Sequence, residues 1–404
     1  MLKYERKFMD WLVRHRDILF FGLVTVLALL ARRRGLDFAS GDMQSFLLPW
    51  AQTFYEGGFS AMKEQVGDYN ILYQTLTILL TRIPESLVYF VTRLQGNMMY
   101  RYKYLSIFFD FSMALLCAGI VAKERGERKL GTLWNLTYMV ILFLPTVFLN
   151  SAVWGQCDAM CGFFCILALY SLYKERYIFS FAVLGLSFAL KLQTVFILPV
   201  YLYFYISRKN FTLLYFLLTA AVLWATGIPA YLQGRPLTTV LDIYMFQTGE
   251  YPTMALNSAS FWLMFFPNWY SMRTCAIVVT MLVLGIFLYL FIGKGERLKG
   301  DFESFLILSI WSAWTCVLFL PGMHERYTYL VDVLLVVLTL YRTKYWWYAM
   351  TFVVISGLTY TSYLTGVDLK TELVIMSAIN TGMWLHYTLW TLPQCLTPAE
   401  SAKR

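Results

Sequence analysis

Charged side chains are scarce in this sequence. Asp, Glu, Lys and Arg make up 14% of the 404 residues, whereas hydrophobic residues make up 59%. Soluble domains usually contain about 25% charged residues, so this composition argues against an ordinary soluble protein. The apolar runs approach the ~20 residues that a helix needs to cross a bilayer, and they are continuous, which disfavours a transmembrane barrel. We therefore predict an all-α polytopic membrane protein.

The N-terminus lacks the small-residue cleavage site of a secretory signal peptide. Basic residues precede the apolar run Ile18–Ala31, but three arginines, Arg32–Arg34, follow it. A cleavable signal would carry small residues at that point, so we predict a retained first helix over about 17–32. The sequence also lacks a soluble domain, a low-complexity tract or a short internal repeat. We expect one integral membrane domain over 1–404.

Cysteine provides neither a disulfide framework nor a metal site. Seven cysteines are present, and Cys157, Cys161 and Cys165 recur every four residues, which places them on one helix face. This spacing suits metal ligands, but no His or carboxylate at ligand spacing accompanies it. Packing within a membrane helix is the better interpretation. We expect neither a metal ion nor a cofactor.

The basic residues are scattered through short inter-helix segments instead of forming one stripe. The net charge of +9 therefore does not indicate nucleic-acid binding. Their distribution follows the positive-inside rule and predicts a cell-membrane protein of about 12 transmembrane helices with both termini in the cytoplasm. Two long external segments are expected, 33–102 and 231–272. The second is rich in aromatic residues and could cover an isoprenoid chain or form an interfacial aromatic belt.

Two carboxylates among small residues, Asp37 and Asp42, open the first external segment. An amphipathic run follows, with apolar residues at near-helical spacing: Phe46, Leu47, Trp50 and Phe54. A carboxylate beside a helix in the membrane interface could accept a proton during chemistry on a lipid-borne substrate. For Asp42 the alternative is a helix N-cap, and for Asp37 it is a turn or a pair with Arg32–Arg34.

Asp68 lies in the sequence Gly67-Asp68-Tyr69-Asn70, directly before the apolar run Ile71–Leu80. An apolar run that starts and ends on one side of the membrane would be a re-entrant or interfacial element, and such elements line cavities. Asp68 is therefore either a second carboxylate of the site or the cap of that helix.

Charged residues also occur in the second predicted helix, over about 103–122. Arg101 and Lys103 lie at its outer end, where they could bind a lipid phosphate or extend to the head groups. Asp110 lies inside the helix and needs a partner, for which a bond to a neighbouring helix is the default.

A polar cluster over 150–159 contains Trp154, Gln156 and Asp158 between two predicted spans. Aromatic faces, amides and carboxylates recognise sugars, and a plain loop is the alternative. Further along, Lys191 and Gln193 interrupt a long apolar window. A buried lysine must pair or lose its proton, so we expect an anionic phosphate, Asp110 or Asp158 beside it.

Three ionisable residues, His324, Glu325 and Arg326, follow one another where two predicted helices meet. Arg326 could clamp a phosphate through its fork of donors, and His324 could orient a substrate or donate a hydrogen bond to a leaving phosphate. The alternative is an internal Glu–Arg pair at a helix end.

The order of these motifs resembles the polytopic GT-C glycosyltransferases over about 17–345. It is similar to bacterial mannosyltransferase-related proteins and to the dolichol-phosphate-glucose-dependent glucosyltransferases of N-glycan assembly. Gly41-Asp42 resembles their Gly-Asp, whose Asp is the catalytic base, and Asp68-Tyr69 resembles the start of Asp-Tyr-Pro-Pro, although Asn70-Ile71 replaces both prolines. Lys191-Leu192-Gln193 resembles Phe-Lys-Gln with one residue inserted, and His324-Glu325-Arg326 resembles His-Glu-Lys.

The resemblance implies a GT-C-like bundle and an inverting transferase without a metal. The donor would be a polyprenyl-phosphate sugar and the acceptor a glycan or glycolipid at the outer face. Asp42 would be the base, His324 would act on the leaving phosphate, and the substrate-binding residues would be Asp68, Arg101, Lys103, Trp154, Gln156, Asp158, Lys191, Gln193, Glu325 and Arg326. The alternatives are a transporter or flippase of lipid-linked saccharides and a non-catalytic scaffold of a wall-polymer complex.

Overall fold

The computed structural model describes residues 3–86, 98–265, 268–293 and 297–397, and within these ranges the chain is all-α. Positions 87–97 of the first external segment and positions 266–267 of the second lie outside the described residues. The α-helices are α1 Lys3–Gly35, α2 Leu48–Gly57, α3 Ile71–Thr81, α4 Met98–Glu124, α5 Thr132–Phe143, α6 Pro145–Phe148, α7 Asp158–Tyr173, α8 Tyr177–Phe188, α9 Leu198–Arg208, α10 Tyr215–Ala225, α11 Ile228–Tyr231, α12 Thr239–Glu250, α13 Trp269–Gly293, α14 Phe302–Phe319, α15 Tyr329–Tyr341, α16 Trp346–Thr365 and α17 Lys370–His386.

Shorter elements connect these helices. The 3₁₀ turns are Gly58–Lys63, Leu192–Ile197, Phe261–Phe265, Glu325–Thr328, Thr343–Tyr345 and Leu392–Cys395, and the π-helical turns are Met43–Leu47, Leu149–Trp154 and Tyr387–Thr391. Two pairs of two-residue strands complete the described chain. Ala255–Leu256 runs parallel to Met323–His324, and Arg297–Leu298 runs antiparallel to Leu396–Thr397.

Within the described ranges, three helices are long and apolar enough to cross a membrane. They are Met98–Glu124, Trp269–Leu290 and Phe302–Phe319, and the bent pair Thr132–Phe143 and Pro145–Trp154 makes a fourth if it forms one span. The predicted all-α class is confirmed, and the span count of about 12 stays a prediction. The expected break near Lys191 is also confirmed, because α8 ends at Phe188 and the next turn begins at Leu192.

Helix α14 lies at the centre of the largest hydrophobic cluster. It is apolar on every side and almost entirely buried, as expected for a helix surrounded by other helices. Its buried indoles still satisfy their N–H groups: Trp314 donates to Oδ1 of Asn380 at 2.9 Å, and Trp311 donates to Oγ1 of Thr388 at 2.9 Å. These bonds avoid the cost of an unpaired buried donor.

The amphipathic run after Asp42 is helical, as its spacing predicts. The π-helical turn Met43–Leu47 continues into α2, which has Pro49 in its first turn, where a missing N–H costs nothing. Leu47 and Phe54 are buried, whereas Phe46 is exposed. The return from this helix needs Gly67, because its φ is +71° and a Cβ there would lie 2.5 Å from the Trp50 ring.

The parallel strand pair joins the two parts of the chain that flank the site. Leu256 of segment 231–272 is in register with His324. The Gly322 N–H also donates to the Met254 carbonyl at 2.9 Å. The short strands therefore fix the backbone of segment 231–272 against the turn that carries His324, Glu325 and Arg326.

Candidate functional site

A cavity of about 770 Å³ lies where segments 33–102 and 231–272 and the His324 turn meet. Its volume is in the range of small-molecule sites, about 300–1,000 Å³. The lining residues that carry polar or charged groups are Asp42, Gln65, Asp68, Tyr69, Gln156, Arg235, Asp242, Tyr251, Asn257, His324, Glu325, Arg326 and Tyr363. The structure thus brings Asp42, Asp68, Gln156 and the His324 turn, predicted from distant parts of the sequence, to one cavity.

Asp42 lies within a set of hydrogen-bond donors. Its Oδ2 accepts from Nε1 of Trp154 at 2.9 Å and from Nε2 of Gln156 at 2.7 Å, and its Oδ1 accepts from the Tyr363 hydroxyl at 2.6 Å. Nη1 of Arg326 lies 3.5 Å from Oδ2. The Asp42 side chain is still 20% exposed, so a substrate hydroxyl can reach a carboxylate whose orientation is fixed.

The N-cap interpretation of Asp42 is wrong. Asp42 has helical backbone angles and its side chain caps nothing; Oγ of Ser40 instead accepts the Met43 N–H at 3.2 Å. The Asp42 carboxylate is therefore free to point into the cavity. The chain begins its π-helical turn directly after this residue, a local geometry that is frequent at functional sites.

The donors to Asp42 are themselves held in place. Trp154 ends a second π-helical turn, and Gly155 follows with φ of +82°. Oε1 of Gln156 accepts the Tyr69 hydroxyl at 2.8 Å, so the Gln156 amide must present its N–H₂ to Asp42. The Gln156 carbonyl accepts Oγ–H of Ser106 at 2.6 Å. Gln156 is therefore held both by Tyr69 and by Ser106 of α4.

Arg326 is the cation beside Asp42. Its guanidinium lies 5.6 Å from the centroid of the Trp154 ring and 5.7 Å from that of Tyr327, distances typical of cation–π contacts. Its carbonyl accepts the Tyr360 hydroxyl at 3.3 Å. Within the described ranges, Nε of Arg326 has no hydrogen-bond partner. A donor thus remains for an anionic ligand, and the predicted internal Glu325–Arg326 pair does not form.

His324 and Glu325 are buried beside this cation. Burial, with the positive charges of Arg326 and Lys191 nearby, lowers the pKa of His324 to about 2. The imidazole is therefore neutral at physiological pH and can donate a hydrogen bond but supplies no charge. Burial raises the pKa of Glu325 to about 7, although Arg326 opposes the shift.

Asp68 lines the cavity and does not cap the helix that follows it. The cap of α3 is Asn70, whose Oδ1 accepts the Ile71 N–H at 2.7 Å. In the part of the chain that the structure describes, the buried Oδ1 of Asp68 has no hydrogen-bond partner. Burial raises the pKa of Asp68 above its usual range, against the effect of Arg326. An acceptor of this kind suits a substrate hydroxyl.

Lys191 and Asp158 form a buried pair behind the cavity. Nζ of Lys191 lies 2.5 Å from Oδ1 of Asp158, whose Oδ2 accepts from Nδ2 of Asn150 at 2.8 Å. The Lys191 ammonium also lies 5.7 Å from the centroid of the Tyr69 ring. Of the partners expected for Lys191, the structure gives Asp158. The pair does not line the large cavity, but the charge of Lys191 contributes to the lowered pKa of His324, which does.

Gln193 lies outside the large cavity and lines a neighbouring one of about 250 Å³. The two cavities share Tyr251 and His324, whose rings meet edge to face with centroids 5.1 Å apart. Gln193 also lines a small cavity with Asp158 and Arg326, so it lies behind the Arg326 side of the site.

Arg101 and Lys103 lie in the first two turns of α4, which begins at Met98, but both are buried and do not reach lipid head groups. Nη1 of Arg101 donates to the Thr81 carbonyl at 2.8 Å, and Nζ of Lys103 donates to the carbonyls of Gly35 and Phe38 at 2.8 and 2.6 Å. Neither lines the cavity. The structure gives them carbonyl partners, and Lys103 thereby fixes the chain that leads to Asp42.

Asp110 is bonded to a neighbouring helix, as the sequence analysis expects. Nη2 of Arg32 lies 2.9 Å from Oδ2 of Asp110, and Arg32 also donates to the Leu142 carbonyl at 2.9 Å. Both side chains are fully buried. This ion pair joins α1, α4 and α5 behind the Asp42 loop.

Tyr363, Arg235 and Asp242 also face the cavity, and the sequence did not single them out. Tyr363 ends a run of hydroxyl-bearing residues, Thr359–Tyr363, within an otherwise apolar helix. That run of hydroxyl groups could have identified Tyr363 as a site residue from the sequence. The Tyr363 ring stacks on Trp154, with centroids 4.3 Å apart and planes 17° from parallel.

Among the described residues, no group of three or more His, Cys, Asp or Glu side chains is placed to hold a metal ion. The described site instead combines an oriented carboxylate, a guanidinium with a spare donor and a neutral imidazole. Such groups can accept a proton from a hydroxyl and bind an anion in the same cavity.

No protein-family model matches this chain, and no curated protein matches it significantly.

Proposed function

We propose that this protein is an inverting glycosyltransferase that moves a sugar from a polyprenyl-phosphate donor to a glycan or glycolipid acceptor at the outer face of a membrane. The observation that carries the proposal is the Asp42 carboxylate, held by Trp154, Gln156 and Tyr363 in a cavity that also contains Arg326 at 3.5 Å. An inverting glycosyl transfer from a phosphate requires a base for the acceptor hydroxyl and an anion-binding group for the leaving phosphate in one cavity.

In the proposed step, the acceptor oxygen attacks the anomeric carbon from the face opposite the phosphate. Asp42 takes the hydroxyl proton as the new carbon–oxygen bond forms. The bond between the anomeric carbon and the phosphate oxygen breaks, and its electron pair leaves with the phosphate. The Arg326 guanidinium and the N–H of neutral His324 stabilise the charge that develops there.

The surrounding residues support these roles. Trp154 and Gln156 orient the base, and Asp68 and Glu325 accept hydrogen bonds from sugar hydroxyls. The Lys191–Asp158 pair holds Tyr69 and the back wall of the site. In this proposal Arg101 and Lys103 contribute to the fold and not to substrate binding, because neither lines the cavity and backbone carbonyls accept from Nη1 of Arg101 and Nζ of Lys103.

A lipid-borne donor suits the walls of the cavity. Phe46 and Phe246, which line it, are 40% and 63% exposed, so apolar surface leads from the polar centre outward. We propose a multi-pass bundle of about 12 spans of the GT-C type with both termini cytoplasmic. The helices that are too short to cross alone would cross together with the turns that continue them.

The test is Asp42→Asn in the full-length protein, purified into nanodiscs and supplied with synthetic polyprenyl-phosphate sugars and glycoside acceptors. Loss of the proton acceptor should lower turnover on the order of 10²–10⁴-fold. Asp37→Asn is the matched control, since Asp37 lies nearby but outside the cavity and accepts the Tyr100 hydroxyl. Near-normal turnover of Asp42→Asn, or movement of labelled lipid across the bilayer without product, would contradict the proposal.

A further inference from the structure

Two arginines are the cations that line the large cavity in the described part of the chain, Arg326 and Arg235. They have different surroundings. Nη1 of Arg326 lies 3.5 Å from Oδ2 of Asp42, and its guanidinium lies against the rings of Trp154 and Tyr327. Arg235 lies instead in the turn between α11 and α12, with Asp242 nearby. The cavity therefore contains two separate cationic positions, and the proposed mechanism uses the first alone.

Arg235 is held in a tight turn between α11 and α12. Gly234 before it has φ of +93°, which favours glycine, and Pro236 follows it. The Arg235 N–H donates to the Ala230 carbonyl at 3.2 Å. The turn thus fixes the backbone from which the Arg235 side chain reaches the cavity.

The Arg235 guanidinium has an unused donor. Nη1 is buried and, among the residues that the structure describes, has no hydrogen-bond partner. The nearby carboxylate of Asp242 accepts the Thr238 hydroxyl at 2.7 Å and makes no ion pair with Arg235 within those residues. A buried guanidinium N–H without an acceptor is costly, and an oxyanion of a ligand in the cavity would satisfy it.

The donor phosphate does not account for this position. In an inverting displacement the attacking oxygen and the leaving oxygen lie on opposite sides of one carbon. The proposed mechanism already assigns the leaving phosphate to Arg326 and His324, so Arg235 is available to a part of the bound substrates that does not react.

We propose that Arg235 binds an anionic group, a carboxylate or a phosphate, on the acceptor. This inference rests on the proposed function, and it names the acceptor as an acidic glycan or glycolipid. The planar fork of arginine suits both oxyanions because it presents two parallel N–H donors. A neutral acceptor of the same shape leaves Nη1 unpaired and binds more weakly.

The test measures binding without a donor and without turnover. Full-length protein in nanodiscs of uncharged lipid is titrated with methyl glucuronide, methyl glucoside 6-phosphate and methyl glucoside, with tryptophan fluorescence as the readout. Trp50 lines the cavity and Trp154 contacts Asp42. We expect at least one anionic glycoside to bind roughly tenfold or more tightly than the neutral one, the size of a charge-assisted hydrogen bond. The two anionic arms show whether the carboxylate or the phosphate is preferred.

Arg235→Gln should abolish the preference, and Arg235→Lys should keep part of it, because the charge remains while the fork is lost. Arg273→Gln is the matched control, since Arg273 lines the neighbouring cavity and not this one. Equal binding of all three glycosides by the wild type would overturn the inference, as would a preference that survives Arg235→Gln. A preference lost in Arg326→Gln but kept in Arg235→Gln would assign the anion to the donor site and also overturn it.

These outcomes are distinct from those of the Asp42→Asn test. The titration contains no sugar donor, so a missing anion preference contradicts the role of Arg235 whatever the turnover. A protein that makes no product with any polyprenyl-phosphate sugar contradicts the proposed function, whatever the binding preference.

Discussion

The Tyr363 hydroxyl donates a hydrogen bond to Oδ1 of Asp42 at 2.6 Å, between residues 321 positions apart in the chain. The Tyr363 ring stacks on Trp154, which donates to the other oxygen of the same carboxylate. The two oxygens are thus held by two rings that also hold each other. A carboxylate fixed in this way keeps one direction for proton acceptance, which is a form of preorganisation.

Tyr363→Phe should lower kcat about tenfold with a smaller change in KM. The change keeps the ring stack and removes one hydrogen bond to a charged group, which is typically worth about 1.5–3 kcal/mol. Steady-state kinetics with a polyprenyl-phosphate sugar measure both constants. Tyr289→Phe serves as the control because Tyr289 is 74% exposed on α13. An unchanged kcat in Tyr363→Phe would show that Asp42 needs no such orientation.

Arg326→Gln should reduce kcat/KM for the donor by roughly 10²–10³-fold, and Arg326→Lys should restore part of the activity. In the proposed mechanism, glutamine removes the charge that would stabilise the leaving phosphate, while lysine keeps a charge without the fork. The comparison uses the same kinetic measurement as above. Arg342→Gln is a suitable control, since Arg342 pairs with Glu303 away from the cavity. Equal losses in the Gln and Lys variants would argue against a phosphate contact.

His324→Gln should retain much more activity than His324→Ala. With a pKa of about 2, His324 is neutral at physiological pH and acts through an N–H that a glutamine amide can replace. For the same reason, the pH–rate profiles of His324→Gln and the wild type should have the same shape between pH 5 and 8. A change in the wild-type rate near pH 6.5 that is absent from His324→Gln would mean that the imidazole titrates during turnover.

Glu325→Gln should raise thermal stability at pH 8 more than at pH 5. The pKa of Glu325 is raised in the folded protein to about 7 from an ordinary value near 4.5, so folding favours the protonated form. Its contribution to stability is fully present below about pH 4.5 and is lost as pH rises through 7. Thermal unfolding of both proteins at the two pH values measures the difference. A benefit that is larger at pH 5 would contradict the assigned direction.

Asp110→Asn should strongly destabilise the protein, because it leaves the fully buried Arg32 guanidinium without its countercharge. Breaking one side of a buried pair typically costs about 3–5 kcal/mol, whereas replacing both partners by apolar residues costs much less. Arg32→Met with Asp110→Leu should therefore unfold at a higher temperature than Asp110→Asn. If the double variant unfolded at a lower temperature than Asp110→Asn, the ion pair would contribute more to stability than the neutralisation of its two charges.

Local patterns in the sequence predicted the local features of this structure. Apolar spacing predicted the helical run after Asp42, and a charge within an apolar window predicted the break at Lys191. Charges at helix ends identified Asp42 and Arg326, which lie 284 positions apart and line one cavity. These predictions follow from periodicity and from the cost of placing charge in an apolar environment.

The remaining features depend on packing across the fold, which sequence spacing does not encode. Tyr363 is one of 29 tyrosines in an aromatic-rich chain, and its contact with Asp42 exists only because α16 packs beside Trp154. The sequence suggested that Arg101 and Lys103 bind a lipid phosphate or head groups. Helix α4 begins at Met98, before its apolar run, so both side chains are inside the fold. Their donors then lie beside free carbonyls at the ends of α3 and α1 and bind them instead of a ligand.

The pairing of Leu256 with His324 has a consequence for the position of the imidazole in the cavity. Backbone hydrogen bonds make these two short segments a single mechanical unit, although almost 70 residues separate them in the chain. A displacement of the Ala255–Leu256 backbone would therefore be passed to the backbone of His324, so under the proposed function a change in the 231–272 segment can alter the position of the imidazole without altering its chemistry.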